Sequence, residues 1–355
     1  MRQHHNLLKE ILISGEVQFE PRTQEFILGI SGRESRFDLR DGFPIITTKN
    51  VNPRLLVEEL FWKLRGERSV KSLFDANVHI WDANAFQKYL ENNDLAKKIP
   101  KHTQAWEDEF ESWKERLTEG KEDGDLGPVY GHQWRHWTNK NGEEVDQLKK
   151  MVSDIRERPG SRYHILNAYN TGDRAEMALG PCPFWDQFTV YGDQLDLTAV
   201  QRSCDTILGV PFNISQEATL LGMVAKETEL EARTLKHYTI NTHLYLGVPP
   251  RSDFWINPEN VKEFQGRVGE VTKRAEYKDV RDWYLSETSE ESGLNFGKDH
   301  IPDALTQLAK RPRGLPTLNL KEGSLYDLIE QPANDVVRLE GYEPHRWKTS
   351  AVMAA

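Results

Sequence analysis

The chain has 355 residues, 37% of them apolar and 29% charged, with a net charge of −10. That length supports one large domain or two ordinary ones with a sizeable core, and ten tryptophans argue against disorder. The negative balance disfavours non-specific nucleic-acid binding, but does not exclude a local basic pocket for a small phosphate.

Two cysteines, Cys182 and Cys204, make neither a disulfide framework nor a four-ligand zinc site, so a reducing compartment fits best. The N-terminal "MRQHHNLLKEIL" lacks the apolar core of a signal peptide, and no apolar run approaches membrane-spanning length. A cytoplasmic protein is expected, or one of a host cytoplasm if the source is viral, with no membrane contact.

In chain order, an amphipathic helix is expected over about 3–14. "EFILGISGRESRFDL" reads as two short strands around a glycine-containing turn, and "DGFPIITTKN" as a turn and another strand. "NPRLLVEELFWKLRG" is a helix with Pro53 near its start and Gly66 at its stop. Residues 86–124 are mostly charged and read as surface helices, an insertion. "DQLKKMVSDIRERPGS" is an amphipathic helix ended by Pro-Gly; "YHILNAYN", "FWDQFTVY" and "QLDLTAVQRS" are strands; "NISQEATLLGMVAKETEL" is a long helix. Residues 257–313 are charged again, helical in period and without an obvious core of their own. Antiparallel-looking strands mixed with helices give an α+β class, and 1–355 reads as one domain with two polar insertions.

Several residues have the chemistry of a site. Cys182 stands between Pro181 and Pro183, which stiffen the backbone and cannot donate. A lone cysteine is ordinarily a small buried hydrophobe, so inert packing stays open beside nucleophilic use. At about 100° per residue, Leu55, Leu56 and Leu60 bracket Glu59 inside the apolar arc of its helix. A carboxylate there is costly unless paired or protonated, which suits either proton transfer or a salt bridge to Lys63 in the same arc. "VQRSCD" gathers polar residues at a strand end, where an arginine could grip a phosphate or draw down the pKa of a thiol; an ordinary surface strand is the alternative. His243 and Tyr245 share one strand face and suit a sugar hydroxyl, or are simply half-buried strand residues. No pair of histidines at metal-ligand spacing has carboxylates nearby, so no metal is expected.

"DGFPIITTK", "EELFWKLRGE", "VHIWDANA", "DLGPVYGHQWRHW", "QRSCDTILGVPFNI", "THLY" and "EGYEPH" resemble, in order, the motifs of the thymidylate synthase family. The resemblance covers most of the chain outside the two insertions. It implies a mixed β-sheet with helices on one face, paired back to back as a homodimer. It also implies folate-dependent reductive methylation of dUMP, with 5,10-methylenetetrahydrofolate as cosubstrate. By the same likeness, Cys182 adds to C6 of the pyrimidine and Arg202 holds the phosphate and steadies the thiolate. Arg22 and Ser203 are further phosphate ligands, and Arg162 reaches the phosphate from the partner subunit. Asn213 reads the uracil edge, His243 and Tyr245 bind the 3′-hydroxyl, Glu59 manages protons through water, and Tyr130 assists removal of the C5 proton. Asp205 takes the pterin, Trp81 packs near the folate, and the tail "KTSAVMAA" closes the site.

The chain departs from the family at Tyr163, where a second arginine is usual, and at Pro183, where histidine is usual. Tyr169 replaces tryptophan, Val200 replaces tyrosine, Asp186 brings a charge into a normally apolar strand, and "LGV" follows "THLY". Two alternatives remain beside thymidylate formation. One is a hydroxymethylase of the family, in which water attacks the C5 methylene to give 5-hydroxymethyl-dUMP; the other is an inactive nucleotide- or RNA-binding relative.

Overall fold

A computed structural model of the chain describes residues 1–101, 103–249, 251–288, 298–347, 349 and 351. Its centre is a six-stranded mixed sheet. The strands are β1 (Glu16–Glu20), β2 (Glu25–Asp38), β3 (Ile165–Asn167), β4 (Pro183–Tyr191), β5 (Gln194–Asp205) and β6 (Glu231–Tyr245), in the order β1-β2-β6-β5-β4-β3. All neighbours are antiparallel except β5 and β6, which run parallel and pair Ala199 with His237, Ser203 with Asn241 and Asp205 with His243. A parallel pair needs a crossover, which the long helix between the two strands supplies.

The helices that matter are α1 (Arg2–Ser14), α2 (Pro53–Arg65), α3 (Asp82–Asn92), α4 (Gln104–Thr118), α5 (Gln147–Glu157), α6 (Gly209–Glu227), α7 (Pro258–Gly269), α8 (Glu276–Glu287) and α9 (Ile301–Ala309). Helix α2 starts where Asn52 Oδ1 accepts from the Arg54 N–H at 3.0 Å, with Pro53 in the first turn, and ends at Gly66 with φ 77°. Helices α1 and α6 pack on the sheet. Tyr238 and Ile240, two apart on the central strand β6, share a face and are 38% and 45% exposed, so that face is uncovered here. No helix among the described residues is long and apolar enough to cross a membrane.

Two local expectations fail. Glu25–Asp38 is one continuous strand: Gly32 takes φ 58°, but pairing with β6 resumes in register from Ser31 with Asn241 to Arg33 with Thr239. Residues 41–50 form no strand. Pro44 lacks a donor, and the segment's bonds go to loops instead: Phe43 N–H to Pro316 O at 2.8 Å and His345 N–H to Thr47 O at 2.8 Å.

The two charged segments also bury more than their composition suggests. Phe86 of α3 packs on Trp106, Phe110 and Trp113 of α4 at centroid distances of 5.1, 5.2 and 5.6 Å. That aromatic cluster continues into Trp62, Trp81 and Tyr130. In the later segment Phe264 and Tyr284 join the main core, together with Trp255 just before it. Charge dominates both sequences because a few large rings, widely spaced, do the packing.

Candidate active site

The nucleophile candidate is held by its surroundings from two sides. Arg202 on β5 donates from Nε to Pro181 O at 2.9 Å and from Nη2 to Gly180 O at 2.6 Å, which clamps the turn carrying Cys182. The same Nη2 lies 3.9 Å from Cys182 Sγ. The Cys182 N–H donates to Tyr130 Oη at 3.0 Å. Tyr130 is buried and has φ 41°, a strained value for a non-glycine residue. Burial pushes the Cys182 thiol above its ordinary value, while Arg202, Arg22, the Tyr130 bond and Lys63 pull it down. Burial prevails, so within one chain the guanidinium limits the rise without reversing it. Cys204 is buried in the main core, and burial raises its thiol too.

Glu59 on α2 faces inward as its helical position predicts, and it is paired. Oε1 accepts from Trp81 Nε1 at 3.0 Å and lies 3.2 Å from Lys63 Nζ; Oε2 accepts from Gln216 Nε2 at 2.7 Å. Gln216 Oε1 in turn accepts from Lys63 Nζ at 3.0 Å. Trp81 packs edge-on against Tyr130, 5.7 Å between centroids. Both reactive candidates therefore share a wall that the aromatic cluster around α3 and α4 supports from behind.

On α6, Asn213 Oδ1 accepts from Gln201 Nε2 at 3.3 Å. Gln201 Oε1 can only accept, so the proton in its 3.0 Å bond to His237 Nε2 belongs to the imidazole. Burial lowers His237 to about 4, so that ring is neutral at physiological pH. The relay His237–Gln201–Asn213 thus fixes the sense of the Asn213 amide. Ser203, also on β5, contributes its carbonyl to Gln201 at 2.9 Å.

His243 is buried, with Nδ1 donating to Asn241 Oδ1 at 2.7 Å, which leaves Nε2 as an acceptor. Burial lowers its pKa. Its ring meets Tyr245 edge-on at 5.1 Å, and Tyr245 meets His300 the same way at 5.4 Å. Asp205, beside His243 in register, accepts at Oδ1 from the Ile207 and Leu208 N–H groups at 2.9 and 3.0 Å. Burial alone would raise its pKa, but His300, 3.5 Å away, together with the Leu208 N–H, holds it at about 2. Its Oδ2 is buried and has no hydrogen-bond partner among the described residues.

Arg22 is exposed in the turn after β1, yet its charge is felt at both Cys182 and Tyr245. Arg162 is exposed in the loop before β3, and its carbonyl accepts from Gln187 Nε2 at 3.1 Å. The tail lies mostly outside the described residues; Ala351 N–H donates to Asp303 Oδ2 at 3.0 Å, and Thr349 Oγ1 bonds the same oxygen.

Sequence reasoning missed Gln216, Glu217, His237 and His300. Gln216 and Glu217 carried a faint signal, as polar neighbours inside the apolar run of α6. His300 carried none. It reaches the site because the segment leaving at Leu246 returns to pair with Asp299, and the His300 N–H donates to Tyr245 O at 2.9 Å.

A family model described as thymidylate synthase matches residues 2–355. The chain is 38% identical over 257 residues to the thymidylate synthase of Staphylococcus haemolyticus, covering 68% of this chain and 80% of that one. It is 36% identical over 260 residues to the thymidylate synthase of Listeria monocytogenes serotype 4a, covering 69% and 82%. With a match along nearly its whole length and these relatives, the chain belongs to the thymidylate synthase family.

Proposed function

We propose that this protein converts dUMP to dTMP, with 5,10-methylenetetrahydrofolate supplying the one-carbon unit and the hydride. The observation that carries the reading is the contact between the Arg202 guanidinium and Cys182 Sγ, with Tyr130 and the Glu59 cluster on the same wall. Cys182 adds to C6 of the pyrimidine, which makes C5 nucleophilic toward the one-carbon unit. Arg202, Arg22 and Ser203 bind the phosphate; a phosphate held by arginine is a charge-assisted, bidentate contact. The Asn213 amide offers both a donor and an acceptor to the uracil edge. His243 Nε2 accepts from the 3′-hydroxyl, alongside Tyr245. Glu59 moves protons through water, and Tyr130 assists loss of the C5 proton. Asp205 Oδ2, buried and without a hydrogen-bond partner among the described residues, suits a pterin N–H donor. Trp81, anchored by Glu59, packs beside the folate.

A homodimer completes the reading. The uncovered Tyr238 and Ile240 face supports a second copy packed back to back, and exposed Arg162 suits delivery to the partner's phosphate site. Cytoplasmic location follows from the same family reading.

Formation of 5-hydroxymethyl-dUMP is the second reading. Pro183 and Tyr169 favour it, since both departures from the family also occur in its hydroxymethylase branch, and Tyr169 lies near the nucleophile strand, 6.1 Å from the Phe184 ring. Product analysis decides between them. Dihydrofolate absorbance with dTMP by mass is expected; a hydroxymethyl product without dihydrofolate overturns the reductive reading. A protein that forms no covalent adduct with 5-fluoro-dUMP and methylenetetrahydrofolate is a binding relative instead.

A further inference from the structure

Beneath the proposed reacting groups, α2, α6 and β4 bring four ionisable side chains into a space where apolar packing would be expected. Glu59, Lys63, Glu217 and Asp186 are 8, 4, 5 and 1% exposed. The Lys63 ammonium is the hub. It contacts Glu59 at 3.2 Å and Gln216 Oε1 at 3.0 Å, and it stands 4.7 Å over the ring of Tyr130. Gln216 closes the triangle by donating to Glu59 and to Leu56 O at 2.9 Å. A buried ammonium needs an anion beyond Glu59 if Glu59 is to exchange protons during turnover.

Asp186 and Glu217 supply that anion. Neither Asp186 oxygen nor Glu217 Oε2 finds a donor among the described residues. The two carboxyls are within hydrogen-bonding reach of each other, and both feel the Lys63 charge. Two carboxyls bond only by sharing a proton. Burial first, and then their mutual repulsion, raises Asp186 well above the ordinary carboxyl range, so Asp186 holds the shared proton; burial raises Glu217 to about 7, so the pair carries its single negative charge above that pH.

We propose that Lys63 is a positioning residue for proton transfer at the pyrimidine ring, and that the Asp186–Glu217 pair is the buried anion that keeps its ammonium in place. The role rests on Glu59 and Cys182 being the reacting groups. Lys63 fixes the Glu59 carboxylate from one side while Trp81 fixes it from the other, and its contact with the Tyr130 ring ties the second proton-handling group to the same charge. Among the described residues no other cation bonds Glu59, so loss of Lys63 frees the carboxylate to turn.

The test uses the full chain and Lys63→Met, with dUMP tritiated at C5. Tritium release and kcat are expected to fall about 100-fold, the cost of a catalytic group misplaced by about 1 Å. KM for dUMP and covalent trapping by 5-fluoro-dUMP with methylenetetrahydrofolate should survive, because neither requires loss of the C5 substituent. Lys63→Met combined with Glu217→Gln removes the charge and the carboxylate that balances it, because Asp186 stays protonated. It should recover the thermal midpoint of the single variant without recovering tritium release. Tritium release at the wild-type rate in Lys63→Met overturns the proposal, as does recovery of release together with the midpoint in the double variant, which would make the cluster purely structural. Failure of the unaltered protein to trap 5-fluoro-dUMP overturns the reading of the site itself, and the positioning role with it.

Discussion

Replacing Glu217 by glutamine should change how stability depends on pH. In the folded chain burial pushes Glu217 from its ordinary 4.5 up to about 7, against the pull of Lys63. Between those values the folded chain holds a proton that the unfolded chain has already released. Its contribution is therefore complete below about 4.5 and is lost as the pH climbs through about 7. The gap of about 2.5 pH units, at about 1.4 kcal/mol each, is on the order of 3 kcal/mol. Glutamine has no proton to lose, and the burial that holds Asp186 well above the ordinary carboxyl range remains, so the Glu217 titration is removed from this window. The assay is urea unfolding between about pH 5 and about pH 8, at one protein concentration so that any assembly is held constant. Other buried groups, such as Asp299, raised by burial to about 6, and His4, lowered by burial to about 4, act in both proteins and cancel in the comparison. The unaltered chain should lose stability across this range relative to Glu217→Gln. Parallel curves would show that burial does not hold a proton on Glu217 near neutrality.

Three further outcomes follow from the site. Cys182→Ser should abolish turnover yet bind dUMP almost as the parent does, measured by calorimetry; turnover in that variant removes the nucleophile assignment. Asn213→Asp should shift preference from dUMP toward dCMP, because a carboxyl changes which partner the amide relay from Gln201 presents to the base; unchanged base preference means uracil is read elsewhere. His300→Ala should raise KM for the folate more than for dUMP, since it removes the group that does most to hold Asp205 at about 2; equal effects on both would detach Asp205 from the pterin.

The sequence was most informative where function and secondary structure place the same demand on a residue. Glu59 is legible because helical period alone puts a carboxylate among leucines, and Lys63 because it follows by one turn. The crossover from β5 through α6 to β6 could be read from segment lengths, but its parallel pairing could not, because side-chain alternation is the same in either direction. Residues 41–50 misled for a related reason: a run of β-branched side chains reports burial, and here burial comes from loops contacting the chain's C-terminal segments rather than from a ladder.

The two charged segments explain why the site is wider than the family motifs. The first buries Phe86, Trp106 and Trp113 behind Trp81 and Tyr130, so the groups proposed to contact the folate and the pyrimidine lean on residues that composition marked as surface. The second leaves the sheet at Leu246 and comes back at Asp299, and the return sets His300 between Tyr245 and Asp205. Fifty-odd residues of sequence thus separate two side chains that touch, and no local pattern can report such a contact. The roles of Asp186, Gln216 and Glu217 were hidden by a different cause. Each is a polar residue in a largely apolar element, and its meaning appears only when the sheet brings β4 under α2 and α6. If the Lys63 hub does position Glu59, these residues form one electrostatic unit, since a buried cation cannot be kept without its anions. Substitutions within it should then be strongly non-additive in stability.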